Sequence, residues 1–60
     1  MRDPSRIKRI LQLVEIIWES SPDLRLTQVI MNALNMNSDP YYVEDKLLEE
    51  SLLKYIRENL

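Results

Sequence analysis

The sequence predicts an all-α fold: a compact three-helix unit with a Ser-Pro-Asp corner between its first and second helices, assembling as a homo-oligomer. Three observations predict the helices. Apolar residues recur at three- and four-residue spacings in three separate stretches, no stretch alternates as a strand would, and the connections are short and carry Pro, Asp, Asn and Ser. Residues 1–60 make a single domain, because a chain of 60 residues holds one core at most. Such a core supplies no more than about 3–5 kcal/mol, and small domains usually add disulfides, a metal or oligomerisation. With no Cys and no His, self-association is the supplement that remains. An apolar fraction of 45% is too high for a disordered chain.

The first helix starts at Asp3-Pro4, with Asp3 as cap and Pro4 at the first helical position. Ile7, Ile10, Leu11, Val14, Ile17 and Trp18 then share one face, read as the core side. Leu13 and Ile16 project from the flank and the back, where a lone amphipathic helix should be polar. They are expected to touch another helix of the chain or a neighbouring subunit, and with Leu53 they are the candidate oligomer interface. The charge order of this helix runs against its dipole, with Arg6, Lys8 and Arg9 near the positive end and Glu15 and Glu19 near the negative one. An anion should relieve it. The acidic third helix, from this chain or a neighbour, is preferred to an anionic or phosphate ligand held by Arg6 and Arg9.

Residues 21–28, Ser-Pro-Asp-Leu-Arg-Leu-Thr-Gln, set the angle between the first two helices. Proline disfavours an α conformation at Ser21, so the first helix should stop there, and Pro22 should open a helical turn capped by Ser21 with Asp23 near its positive end. Leu26, Val29, Ile30, Ala33 and Leu34 mark the second helix. The chain has no Gly, so the left-handed residue that ends this helix should be Asn35 or Asn37. Residues 35–40 form a polar second connection, and Asp39-Pro40 repeats the start signal, with Tyr41 and Tyr42 in the turn that follows. The third helix runs from about Val43 or Asp45 to Glu58, with Leu48, Leu52, Tyr55 and Ile56 on one face and Leu53 and Leu60 widening it. Glu44, Asp45, Glu49 and Glu50 make its first turns acidic, as the dipole favours.

Trp18, then Pro22-Asp23-Leu24-Arg25-Leu26 with Gln28 and Asn32, then Asp39-Pro40-Tyr41-Tyr42 and Glu44-Asp45, resembles a family of small, functionally uncharacterised helical proteins of bacteria and their phages. The likeness spans nearly the whole chain. Thr27 departs from the Gly of that pattern, which suits a helix start. The resemblance implies a small cytoplasmic helical protein and transfers no reaction.

The composition argues against an enzyme. Without His or Cys, nucleophilic triads and most metal centres cannot be assembled, and without Gly there is no phosphate-cradling loop, so no cofactor and no metal is expected. The carboxylate pairs Glu44-Asp45 and Glu49-Glu50 read as a solvated helix start. A DNA-binding helix-turn-helix is disfavoured, because the segment that would serve as recognition helix, residues 26–35, has no Lys or Arg to neutralise phosphate.

Charge is segregated all the same. Residues 1–10 hold Arg2, Arg6, Lys8 and Arg9 against Asp3, a net +3, which against a total of −2 leaves −5 for the rest. Such asymmetry concerns a partner or a neighbouring subunit.

Two functional readings follow. The first is a non-enzymatic helical homo-oligomer whose faces bind a protein partner. The second is a phage-type sponge in which symmetry-related copies of Trp18, Arg25, Gln28, Asn32, Tyr41 and Tyr42 enclose a small phosphorylated, nucleotide-derived signal, with aromatic and guanidinium planes stacking on the base. For Trp18 a core position is the plainer expectation, for the tyrosines a place closing the second corner, and for Arg25 an ion pair with Asp23, Asp45 or another carboxylate. No apolar run is long enough to span a membrane and no signal-peptide pattern follows the basic start, so the expected compartment is the cytoplasm.

Overall fold

The computed structural model describes residues 3–36 and 39–60; Arg2 and Asn37, both singled out above, lie outside them. Three helices form, α1 (Ser5–Ser20), α2 (Leu26–Leu34) and α3 (Asp45–Asn59), with a short 3-10 helix at Pro40–Tyr42 and no strand among the described residues. The Cα radius of gyration is 11.2 Å. A folded chain of this length is expected near about 10 Å, so the helices pack into one compact body.

The start signals act locally as their chemistry requires. The Asp3 carboxylate accepts the Ser5 N–H at 2.9 Å, and Pro4 is already in the right-handed helical region. Asp39 repeats the device, accepting the Tyr41 N–H at 2.9 Å ahead of Pro40. The helix stop is equally local. Asn35 takes φ 54° and ψ 48°, its N–H returns to Asn32 O, and the Met36 N–H returns to Met31 O. This is a Schellman ending with Asn in the left-handed position that Gly would normally take.

The first corner differs from expectation. Ser20 is the last residue of α1, but no helical turn opens at Pro22: the Leu24 N–H returns to Ser21 O at 3.1 Å, closing a single turn over Pro22 and Asp23. Three residues cannot propagate a helix, and α2 starts afresh at Leu26, where Gln28 Oε1 accepts the Arg25 N–H at 2.8 Å.

Two ion pairs fix the direction of α3. Arg6 Nε meets Asp45 Oδ2 at 2.8 Å and Arg9 Nε meets Glu49 Oε2 at 2.8 Å, so residue numbers rise together along α1 and α3 and the two helices run parallel. The C-terminal end of α2 lies beside the C-terminal half of α3, where Asn32 and Asn35 share a groove with Ser51, Lys54 and Tyr55. Asn35 and Glu44 therefore lie at opposite ends of α3, Asn35 beside Tyr55 and Glu44 just ahead of Asp45, about 15 Å apart along the helix. Inside, Val14, Ile17, Val29 and Leu52 are buried, one or two from each helix, with Ile10, Leu13, Leu24, Ala33, Leu48, Tyr55 and Ile56 packed around them.

Candidate functional site

At 100° per residue, the apolar residues of α1 fall into two arcs. Ile10, Leu13, Val14 and Ile17 form the inner arc, which meets α2 and α3. Ile7, Leu11 and Trp18 form a second arc beside it, and the structure leaves them exposed: Leu11 by 61% and Trp18 by 37%. Their assignment to the core is corrected by packing. Two helices can cover only one side of a third, and α2 has nine residues to set against the sixteen of α1.

The uncovered arc borders an open groove of about 460 Å³, floored by Leu11, Val14, Trp18, Pro22 and Leu26 and edged by Glu15 and Glu19. Trp18 is the fixed wall. Its indole N–H donates to the Leu24 carbonyl at 2.8 Å, which ties the end of α1 to the corner and holds the ring at the groove edge. Pro22 and Leu26 supply the far side, because the Ser21–Leu24 turn folds them back against α1.

The six residues expected around a nucleotide-derived ligand are not gathered within one chain. Trp18 stands at the groove, Gln28 caps α2, and Asn32 lies in the polar groove between α2 and α3. Tyr41 and Tyr42 precede α3, whose first turn is tied to Arg6, so twelve residues of α1, about 18 Å, separate that end from Trp18. The two tyrosine rings meet edge to face, centroids 4.9 Å apart, and are 79% and 88% exposed. Arg25 makes no ion pair among the described residues; Asp45, one of its expected partners, holds Arg6.

Comparison with protein-family models, curated proteins and solved structures finds no match. What the chain can do is therefore argued from its own surfaces.

The basic end of α1 finds its anions within the chain. Besides the Arg6–Asp45 pair, Arg9 donates from Nε and Nη2 to the Glu49 carboxylate, at 2.8 Å and 3.3 Å, and from Nη1 to Ser5 Oγ. The hydrogen bond from Arg9 holds the Glu49 carboxyl below its ordinary value and raises Arg9 in turn. The Ser5 N–H does the same for Asp3. Arg6 and Arg9 are thus occupied by carboxylates, the arrangement preferred above to a bound phosphate.

Of the expected interface residues, Leu13 packs against the core, while Ile16 and Leu53 are 47% and 43% exposed. Glu49, Leu53 and Leu60 follow one another on the α3 side that faces α1, and Ile16 lies two turns beyond Arg9 on the α1 side that faces α3. By helical period Ile16 and Leu53 thus fall on the same helix sides as Arg9 and Glu49, and both are left exposed there. Among the described residues no group of three or more acids is placed to hold a metal ion, no polar or charged side chain is buried, and no helix is long and apolar enough to cross a membrane.

The sequence reading missed Leu11, Pro22, Leu26, Glu15 and Glu19 as parts of one surface. A signal was present: an apolar band covering Leu13, Val14, Ile17, Trp18 and Leu11 is wider than a helix facing two neighbours can bury.

Proposed function

We propose that this protein is a non-enzymatic helical interaction module that works as a homo-oligomer in the cytoplasm. The observation that carries the reading is the contrast, among the described residues, between four buried side chains and an exposed band of Ile7, Leu11, Trp18 and Leu26 on the same small body. A core this small gains from association, and apolar surface gathered around a groove marks a site for another protein.

Nucleotide sequestration is the alternative. It requires another copy to bring the tyrosines to Trp18 and Arg25, because one chain holds them at opposite ends.

Native mass spectrometry of the protein taken gently from cells tests both. A dimer or larger assembly without added mass is the expected result. An assembly carrying a few hundred daltons of non-protein mass would transfer the proposal to the ligand-binding reading, and a chain that stays monomeric at every concentration would end the oligomer reading.

A further inference from the structure

We propose that the outer arc of α1 is covered by the same arc of a second copy, the two α1 helices lying antiparallel about a two-fold axis. The inference rests on the self-association reading above and names its geometry.

The spacing supplies the first argument. Ile7, Leu11 and Trp18 of the outer arc, with the core residue Val14 at its inner edge where it lines the groove, succeed one another by four, three and four residues, the repeat of a helix-pairing seam in which Leu11 and Trp18 take the a positions and Ile7 and Val14 the d positions. In that frame Ile10 and Ile17 are the g residues, and both already pack inside the monomer. The e residues are Lys8 and Glu15. They lie on the open side, and neither forms an ion pair among the described residues.

Charge decides the occupant and its direction. In an antiparallel pair each e position faces the other helix's e position, so Lys8 meets the partner's Glu15 and Glu15 meets the partner's Lys8. One surface is thus its own complement. A parallel pair would instead set Lys8 and Glu15 against the partner's g residues, isoleucines that already pack inside their own monomer and have no charge to offer. With Leu11 level with the partner's Val14, the partner's Ile7 falls at Trp18, beside the groove closed by Pro22 and Leu26. That groove is the hole for this knob. Four layers span about 16 Å of helix, so the buried area lies at the small end for specific interfaces and the dimer should be a weak one, in the micromolar range or above.

Sedimentation equilibrium of the full chain at low salt tests the proposal, with circular dichroism to check that each variant stays helical. Lys8→Glu and Glu15→Lys should each raise the dimer Kd about tenfold, since each turns two symmetry-related attractions into repulsions. The double variant should return to within about threefold of the parent. Leu11→Glu should leave only monomer.

Single reversals that leave Kd unchanged while Leu11→Glu still disrupts the dimer overturn the antiparallel geometry and keep the module reading. A dimer insensitive to Leu11→Glu but lost in Ile16→Glu moves the interface to the α1–α3 seam and overturns this inference alone. A parent chain that is monomeric throughout overturns both, and assigns the band to a different protein.

Discussion

The two arcs of α1 are made of the same kinds of residue and meet opposite fates. Val14 and Ile17 are buried by Val29 of α2 and Leu52 of α3, while Ile7 and Leu11, a few ångströms round the same helix, face outward. Helical period tells which residues share a face; the length and placement of the neighbouring helices decide which face is closed. Here α2 has nine residues and α3 is drawn to the Arg6/Arg9 side by two carboxylates, so the Leu11 side is left open.

The contrast can be broken most directly at matched positions. Ile17→Ala should cost about 3 kcal/mol, more than half the stability of a domain this size, and should move the midpoint of a urea titration followed by circular dichroism far toward zero urea. Leu11→Ala on the same helix should cost less than about 1 kcal/mol when measured at concentrations too low for association. Equal costs would mean that both arcs are buried in the isolated chain.

A smaller effect sharpens the boundary between the arcs. Trp18→Phe keeps an aromatic wall but removes the N–H that reaches Leu24, and should cost about 1 kcal/mol, with faster hydrogen exchange at the Ser21–Leu24 turn. A turn as well protected as in the parent would mean that Pro22 alone holds the corner.

The smallest effect lies in pH and belongs to the inner side. Asp3 and Glu49 hold their carboxyls below ordinary values, through hydrogen bonds from Ser5 and Arg9 respectively, so the unfolded chain binds protons more readily than the folded one. Their contribution is complete above the ordinary carboxylate range, near about pH 4, and is lost as pH falls through the lower native values. Thermal melts should show a shallow decline there, flatter in Glu49→Gln, with the groove around Trp18 unaffected by the Arg9–Glu49 pair.

Much of this fold could be read from short-range chemistry. Asp3-Pro4 and Asp39-Pro40 each begin a turn, as that pair favours, and in a chain without Gly the left-handed helix ending was expected on an Asn; Asn35 takes it. The basic start of α1 and the acidic start of α3 likewise announced each other. What stayed hidden depends on placement in space. Trp18 was expected inside because apolar period cannot register a carbonyl six residues away that draws the indole to the rim. Arg25 was expected to find a carboxylate, but Asp45 lies at the other end of the molecule, bound to Arg6. The six residues of the ligand reading were grouped by chemical type, and the parallel course of α3 separates the tyrosines from the tryptophan.

That parallel course also orders how the fold comes together. The indole bond at the first corner closes a loop of only six residues, whereas the ion pairs between α1 and α3 close loops of 39 and 40. Loop closure grows as the logarithm of length, so the α1–α3 contacts cost roughly 1.5–2 kcal/mol more chain entropy than the corner before any packing is gained. On this ground the corner should form before α3 docks, so that destabilising α3 slows folding more than destabilising the corner does in stopped-flow refolding. Until α3 docks, the two arcs of α1 are alike in solvent and compete for the same partners, and the arrival of Leu52 is the event that makes one of them interior.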